Sequence, residues 1–197
     1  MSVGSVEVTR QLFQVEEGGA VPTSTHQLIL RTVPTDQALN CYGRWHYLGR
    51  IKTIATLHYG VFFENRLVGC ISMGSPNATE IKGFYDRNNQ EGVWEIKRLA
   101  LSPICPKNSE SRVIAIAIRL VKKLGAWLIV TYADDGIGHT GVIYKAAGFD
   151  YQGLTAQKND FWVNGKIQQR GKTKGVDGVW KPRSRKHLFI KQYNKEN

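Results

Sequence analysis

The stretch VWEIKRLALSPICPKNSESRVIAIAIRLVKK, residues 93–123, decides the fold class of this chain. Its first nine residues read as a long strand. A loop with Pro103 and Pro106 follows. A helix then begins near Ser109, with Val113, Ile114, Ala117, Ile118, Val121 and Leu124 at helical spacing. Arg112, Arg119, Lys122 and Lys123 lie off that apolar stripe. Gly125 stops the helix. The next run, AWLIVTY (126–132), is continuously apolar, as expected for a central strand. Strand, turn, helix and strand in this order predict an α/β protein.

Upstream, residues 26–33 (HQLILRTV) alternate like a strand, and a helix is expected over 37–47 after Pro34-Thr35-Asp36. Residues 56–74 hold two β-rich runs around Glu64-Asn65-Arg66, a hairpin signature, and 78–84 read as a short helix. Downstream, 133–140 is a polar loop, 142–147 a short helix and 149–154 a strand. Asn164-Gly165 is a strong hairpin signal, 171–181 a basic loop and 186–193 a late strand. The expected organisation is an N-terminal arm (1–25), a catalytic domain (26–157) and a basic C-terminal β extension of the same domain (158–197).

The 197 residues fit one domain. No apolar run reaches the ~18–20 residues that span a bilayer, and 1–19 lack a basic segment leading into an apolar one. No membrane association is expected. Cys41, Cys70 and Cys105 show no metal-ligand or redox spacing, so free thiols in a reducing compartment are expected. The net charge of +11 is uneven: residues 159–197 carry ten Lys/Arg against three acids, hence +7 of the total. That asymmetry predicts a polyanionic partner.

A helix N-terminus suits an anionic group. The turn before the second helix adds Lys107, Arg112 and the hydroxyls of Ser109 and Ser111, with Asn108 or Ser109 as N-cap. A phosphate or pyrophosphate seat and a merely well-capped helix explain this turn equally well.

Further on, Tyr144, Gly148 and Phe149 follow a central strand and its polar loop. This order resembles the GNAT acyltransferase superfamily over residues 26–154. The resemblance implies a mixed central sheet flanked by helices, with a cofactor-binding turn at 106–112. The family's glycine-rich loop is replaced here by Pro106-Lys107-Asn108-Ser109-Glu110-Ser111-Arg112. A narrower set of words is similar to the phage Mom group. They are Trp45-His46-Tyr47-Leu48-Gly49, Glu95-x-x-Arg98-Leu99, Asn108-Ser109-Glu110-Ser111-Arg112, Thr131-Tyr132-Ala133-Asp134 and Gly138-His139-x-Gly141-x-Ile143-Tyr144. That resemblance implies conversion of adenine in double-stranded DNA to its N6-carbamoylmethyl form. It also implies a phage- or prophage-encoded protein acting in the bacterial cytoplasm. A homodimer is one assembly this reading admits.

By the same resemblance Tyr144 is a general acid, Asp134 a base or ligand, and Arg98 a partner for a phosphate. The bland alternative for Arg98 is an ion pair with Glu95. His46 and Tyr47 fall on the acceptor side of the cleft, and Lys107, Asn108, Ser109, Ser111 and Arg112 hold the cofactor. The donor is acetyl-CoA or a related compound. Nitrogen attack on a thioester gives an N-acyl product, whereas the Mom-type product joins nitrogen to a methylene carbon. The donor therefore offers an electrophilic methylene, or C–H chemistry at a redox metal is needed. For the second route His46, Tyr47, Asp134 and Tyr144 are the expected Fe(II) ligands. Adenine within a duplex must be flipped out, with Trp45 or Tyr85 available to stack on it. Two alternatives are an N-acetyltransferase acting on a small-molecule, protein or tRNA amine, and a non-catalytic DNA-binding module.

Overall fold

The computed structural model describes residues 20–49, 54–168 and 173–194. Most of the expected N-terminal arm lies outside them. Among these residues ten strands and three α-helices form. In chain order they are β1 (Leu28–Thr32), α1 (Thr35–Trp45), β2 (Leu57–Phe63), β3 (Arg66–Gly74), β4 (Val93–Leu101), α2 (Ser109–Lys122) and β5 (Leu128–Asp134). Then come α3 (Val142–Ala146), β6 (Asp150–Leu154), β7 (Asn159–Val163), β8 (Lys166–Ile167), β9 (Val179–Pro182) and β10 (Lys186–Gln192).

Seven strands make one sheet in the order β1-β2-β3-β4-β5-β10-β6. Only β4 and β5 run parallel; the other neighbours are antiparallel. This is the mixed, helix-flanked sheet expected of a GNAT-like protein. Alternation along β5 feeds both faces. Ile129 and Ala133 join the core under α2, with Val113, Ile114, Ala117 and Val121. Leu128 and Val130 pack on the other side with Tyr85, Trp127 and Ile190. α1 covers that other side further along, through Ala38, Cys41 and Tyr42 against Cys70 and Ala100. The three cysteines are free thiols, two of them buried.

Two features of the central strands open the site. Pairing of β4 with β5 runs only from Val93↔Leu128 to Ile96↔Thr131, so the strands part beyond Ile96. The register of β4 against β3 also slips between Met73↔Ile96 and Ser72↔Arg98, leaving Lys97 as the extra residue of a bulge. A bulge bends its strand and re-aims side chains.

Three expectations are corrected. Residues 78–84 form no helix; Ile81 and Tyr85 make an isolated bridge around Gly83 at φ 86°. Seven residues with a left-handed glycine are too few for a stable helix. The expected basic loop contains β9, which pairs with β7 in a separate three-stranded sheet, β8-β7-β9. α1 begins at Thr35 rather than Gln37, with Pro34 as N-cap.

Candidate active site

The gap between β4 and β5 widens into a cleft of about 840 Å³. Its floor is β4 from Glu95 to Leu101. One wall is the end of α1 with Trp45, His46 and Tyr47. The other is the end of β5 and the start of α3, with Asp134, His139 and Tyr144. The five expected catalytic residues, His46, Tyr47, Arg98, Asp134 and Tyr144, all line this one space.

His46 is the C-cap of α1, its amide donating to the Tyr42 carbonyl. Its ring stacks on Tyr47 at 4.4 Å and meets the edge of Tyr42 at 5.8 Å. Burial, aided by the Arg98 cation and His139, pulls its pKa down to about 4. The ring is therefore neutral near pH 7. The Leu48 amide donates to Nδ1 at 3.1 Å. In the neutral ring that bond leaves the proton on Nε2, so His46 offers the cleft an N–H donor.

Tyr47 packs against the edge of His139 at 5.2 Å. Burial, and then the nearby Asp134 carboxylate, raise its pKa. Tyr144 is buried between Phe149 and Phe189 at 5.9 and 5.5 Å, and burial pushes its phenol up as well. Both phenols are held protonated. Gly141 makes the placement of Tyr144 possible: it opens α3 at φ 73°, and a Cβ there would sit 2.2 Å from the Phe189 ring. Asp134 ends β5, and one carboxylate oxygen caps the following turn through the Gly136 amide at 3.0 Å.

Arg98 does not pair with Glu95. Its guanidinium lies over the Tyr42 ring at 5.7 Å and reaches the Gly49 carbonyl at 3.4 Å. Glu95 binds Lys97 at 3.0 Å and the Asn77 amide at 2.7 Å, while the Lys97 ammonium also donates to the Asn77 side chain at 2.8 Å. Alternation along β4 already sets Lys97 on the side of Glu95, and the bulge brings Arg98 opposite Ser72, beside Tyr42. Tyr42 is itself anchored. Its hydroxyl bonds Ser72, which bonds His58 Nδ1 at 2.6 Å, and the other nitrogen of His58 bonds Thr35 at 3.3 Å.

Lys107, Asn108, Ser109, Ser111 and Arg112 gather at the N-terminus of α2. Asn108 is the N-cap residue but in the left-handed region, φ 70°, with no side-chain cap bond. Ser109 and Ser111 turn their hydroxyls onto the carbonyls of Pro106 and Asn108 at 2.6 and 3.0 Å. Of this turn, Glu110 reaches the cleft, and Arg112 keeps a buried Nε without a partner.

The expected iron set is poorly provided with donors. The imidazole lone pair of His46 is taken by the Leu48 amide, and Asp134, the single carboxylate among the four, already caps a turn. Among the described residues no three His, Cys, Asp or Glu side chains gather in a metal-holding group. Tyr85 is not available for stacking either: it is buried, and its hydroxyl donates to the Ala78 carbonyl at 3.1 Å. Trp45 does line the cleft. Sequence reasoning missed Asn77, Lys97, His139 and Lys186 as cleft residues; loops after β3 and β5 carry Asn77 and His139, and pairing of β10 with β5 brings Lys186.

The sequence profile of the Mom protein family matches residues 27–195. This chain belongs to the Mom protein family. It is 26% identical over 187 residues to the methylcarbamoylase mom of Escherichia phage Mu, covering 90% of this chain and 77% of that one. Among solved structures it resembles a Bacillus subtilis acetyltransferase in complex with CoA. That likeness has a TM-score of 0.52 and 15% identity, over 85% of this chain and 99% of the other. It also resembles the ribosomal-protein-S18-alanine N-acetyltransferase of Escherichia coli, with a TM-score of 0.54 and 10% identity, over 86% and 96%. These two likenesses establish the acetyltransferase fold for this Mom family member. Among its described residues no helix is long and apolar enough to cross a membrane.

Proposed function

We propose that this chain is a transferase that converts adenine in double-stranded DNA to N6-carbamoylmethyladenine, shielding phage DNA from restriction in the host cytoplasm. The observation that carries this reading is the convergence of His46, Tyr47, Arg98, Asp134 and Tyr144 on one cleft, in a chain related to the phage Mu methylcarbamoylase. The cleft is about the size of a small-molecule site, so the target base enters it only when extruded from the duplex.

Joining N6 to a methylene carbon releases one proton from the amine. The Asp134 carboxylate is the group placed to accept it. The leaving group on that carbon needs a proton, and Tyr144, kept as a phenol by burial, supplies one. Neutral His46 offers an N–H to an oxygen of the donor or a ring nitrogen of the adenine, and the Arg98 cation offsets developing negative charge. Trp45, which lines the cleft, is the aromatic residue for the extruded base to meet. A CoA-type donor, acetyl-CoA or a relative, suits the α2 turn: Lys107 and Arg112 are cations beside a helix N-terminus. Bound there, it would supply the activated carbon as a derivative whose carboxamide-bearing methylene already carries the leaving group, which the methyl of acetyl-CoA itself lacks. Asn108, Ser109 and Ser111 shape that turn through its backbone.

The test is expression in bacteria, digestion of cellular DNA to nucleosides and mass measurement. A mass-shifted deoxyadenosine is expected with the intact chain. It should fall by about 10²- to 10⁴-fold in Asp134→Asn and Tyr144→Phe variants. Unmodified deoxyadenosine alongside acetylated amines would replace this reading with that of an N-acetyltransferase. DNA binding without any modification would leave a binding module.

A further inference from the structure

The small sheet β8-β7-β9 packs little of its own surface away. On β9, Val179 and Trp180 are 62% and 58% exposed, and Ile167 on β8 is 55% exposed. A two-residue and a four-residue strand with bare aromatic and aliphatic groups invite aggregation unless a partner covers them. The sheet is nonetheless built firmly. Phe161 is buried and backs the Trp180 ring at 5.1 Å, holding it in place while its outer face stays open. Gly178 permits the close approach of β9, since a Cβ there would lie 2.6 Å from Phe161. Arg183 grips the Asp160 carboxylate with two nitrogens, and its amide bonds the Lys158 carbonyl at 2.8 Å. These contacts fasten both ends of β9 to β7.

Charge identifies the partner. On and beside this sheet Lys158, Lys166, Lys174 and Lys181 stand against Asp160 and Asp177, and Asp160 is already neutralised by Arg183. The Lys181 ammonium sits 5.0 Å above the Trp162 ring. The exposed indole of Trp180 among these lysines fits a stacked base flanked by phosphates, rather than an apolar protein surface, which would bury those cations unpaired.

We propose that this sheet is a DNA platform in which Trp180 stacks on a base beside the extruded one while the lysines hold the backbone. The proposal rests on the DNA-modifying reading for its partner. Position supports it. The Asp135 amide, just past the cleft wall, donates to the Arg185 carbonyl at 3.1 Å, and Lys186 lines the cleft. Trp180 is six residues from Lys186. Extended chain of that length covers at most roughly 20 Å, or about six base steps. The duplex opened by removal of the target base is therefore within reach of the indole.

Binding of a labelled 20-base-pair duplex to the full chain tests this. Trp180→Ala should weaken binding about 10- to 100-fold and Trp180→Phe much less, both with an unchanged salt slope, because no charge is lost. Lys181→Ala should instead lower the slope by about one unit. Wild-type tryptophan fluorescence should be quenched by the duplex, with most of the quench absent in Trp180→Phe, which also serves if the alanine variant fails to fold. Wild-type affinity and undiminished quench in the Trp180 variants would overturn the proposal. So would an effect of Trp180→Ala on self-association in sedimentation alone, which would assign the face to a second copy. If wild-type protein leaves adenine unmodified but the Trp180 effect on binding persists, the chemistry fails and the platform stands. If adenine is modified and Trp180 proves neutral, the platform alone fails.

Discussion

His46 shows how one side chain takes its chemistry from its surroundings. In the sequence it is a candidate metal ligand on the acceptor side of the cleft. In the fold it is half-buried beside a guanidinium, and protonation is disfavoured down to about pH 4. As pH falls below the ordinary histidine value of 6.5, the unfolded chain takes up the proton first. The stability that goes with neutral His46 is thus full above 6.5 and declines as pH approaches 4. Urea titrations between pH 7 and 4 should show a steeper loss for wild type than for His46→Gln; parallel curves would refute the assignment. Modification activity that depends on His46 should likewise survive pH 5.5, where an unperturbed histidine is mostly charged. Lys97 teaches the complementary point. It is unremarked in the sequence, yet its side chain is a buried cation on the cleft floor, held by Glu95 and Asn77.

At the scale of elements, the short helix α3 depends on Gly141. Its left-handed backbone and the nearness of Phe189 leave no room for a Cβ. Gly141→Ala should destabilise the protein by about 2–4 kcal/mol, from backbone strain plus overpacking, as read by chemical denaturation. Because Tyr144 sits on this helix, modification should fall as well, even in the fraction that remains folded. β4 and β5 supply the other essential geometry. Their pairing ends at Ile96↔Thr131, and every expected catalytic residue stands around the opening that follows.

At the scale of the molecule, the basic C-terminal segment is more than an appendage. β10 lies between β5 and β6, in register from Lys186↔Asp134 to Gln192↔Leu128. Phe189 and Ile190 on it are buried in the two main cores. A chain ending at residue 157 would expose both edges that β10 joins and leave two cores open. It should be insoluble or lack a cooperative thermal transition; a soluble truncated protein with native unfolding would contradict this account of the sheet.

The sequence by itself determined the strand–turn–helix unit at 93–123, the central strand, both hairpin turns and the family words. Each of these is local: a period of apolar residues, a glycine, or a short string of letters. It also named the five catalytic candidates, through resemblance rather than periodicity. It did not determine that Arg98 rests on Tyr42 while Lys97 takes Glu95, that His46 donates through Nε2, that Tyr85 is buried, or that β9 exists. Those outcomes depend on register slips, on the parting of β4 from β5, and on a strand inserted from the far end of the chain. Even the contacts between near neighbours, such as Lys97 with Glu95, are chosen by what residues tens of positions away occupy, and no local pattern records which partner wins. The stretch at 93–123 announced an α/β fold; only the tertiary structure turned its bulge and its broken pairing into a cleft.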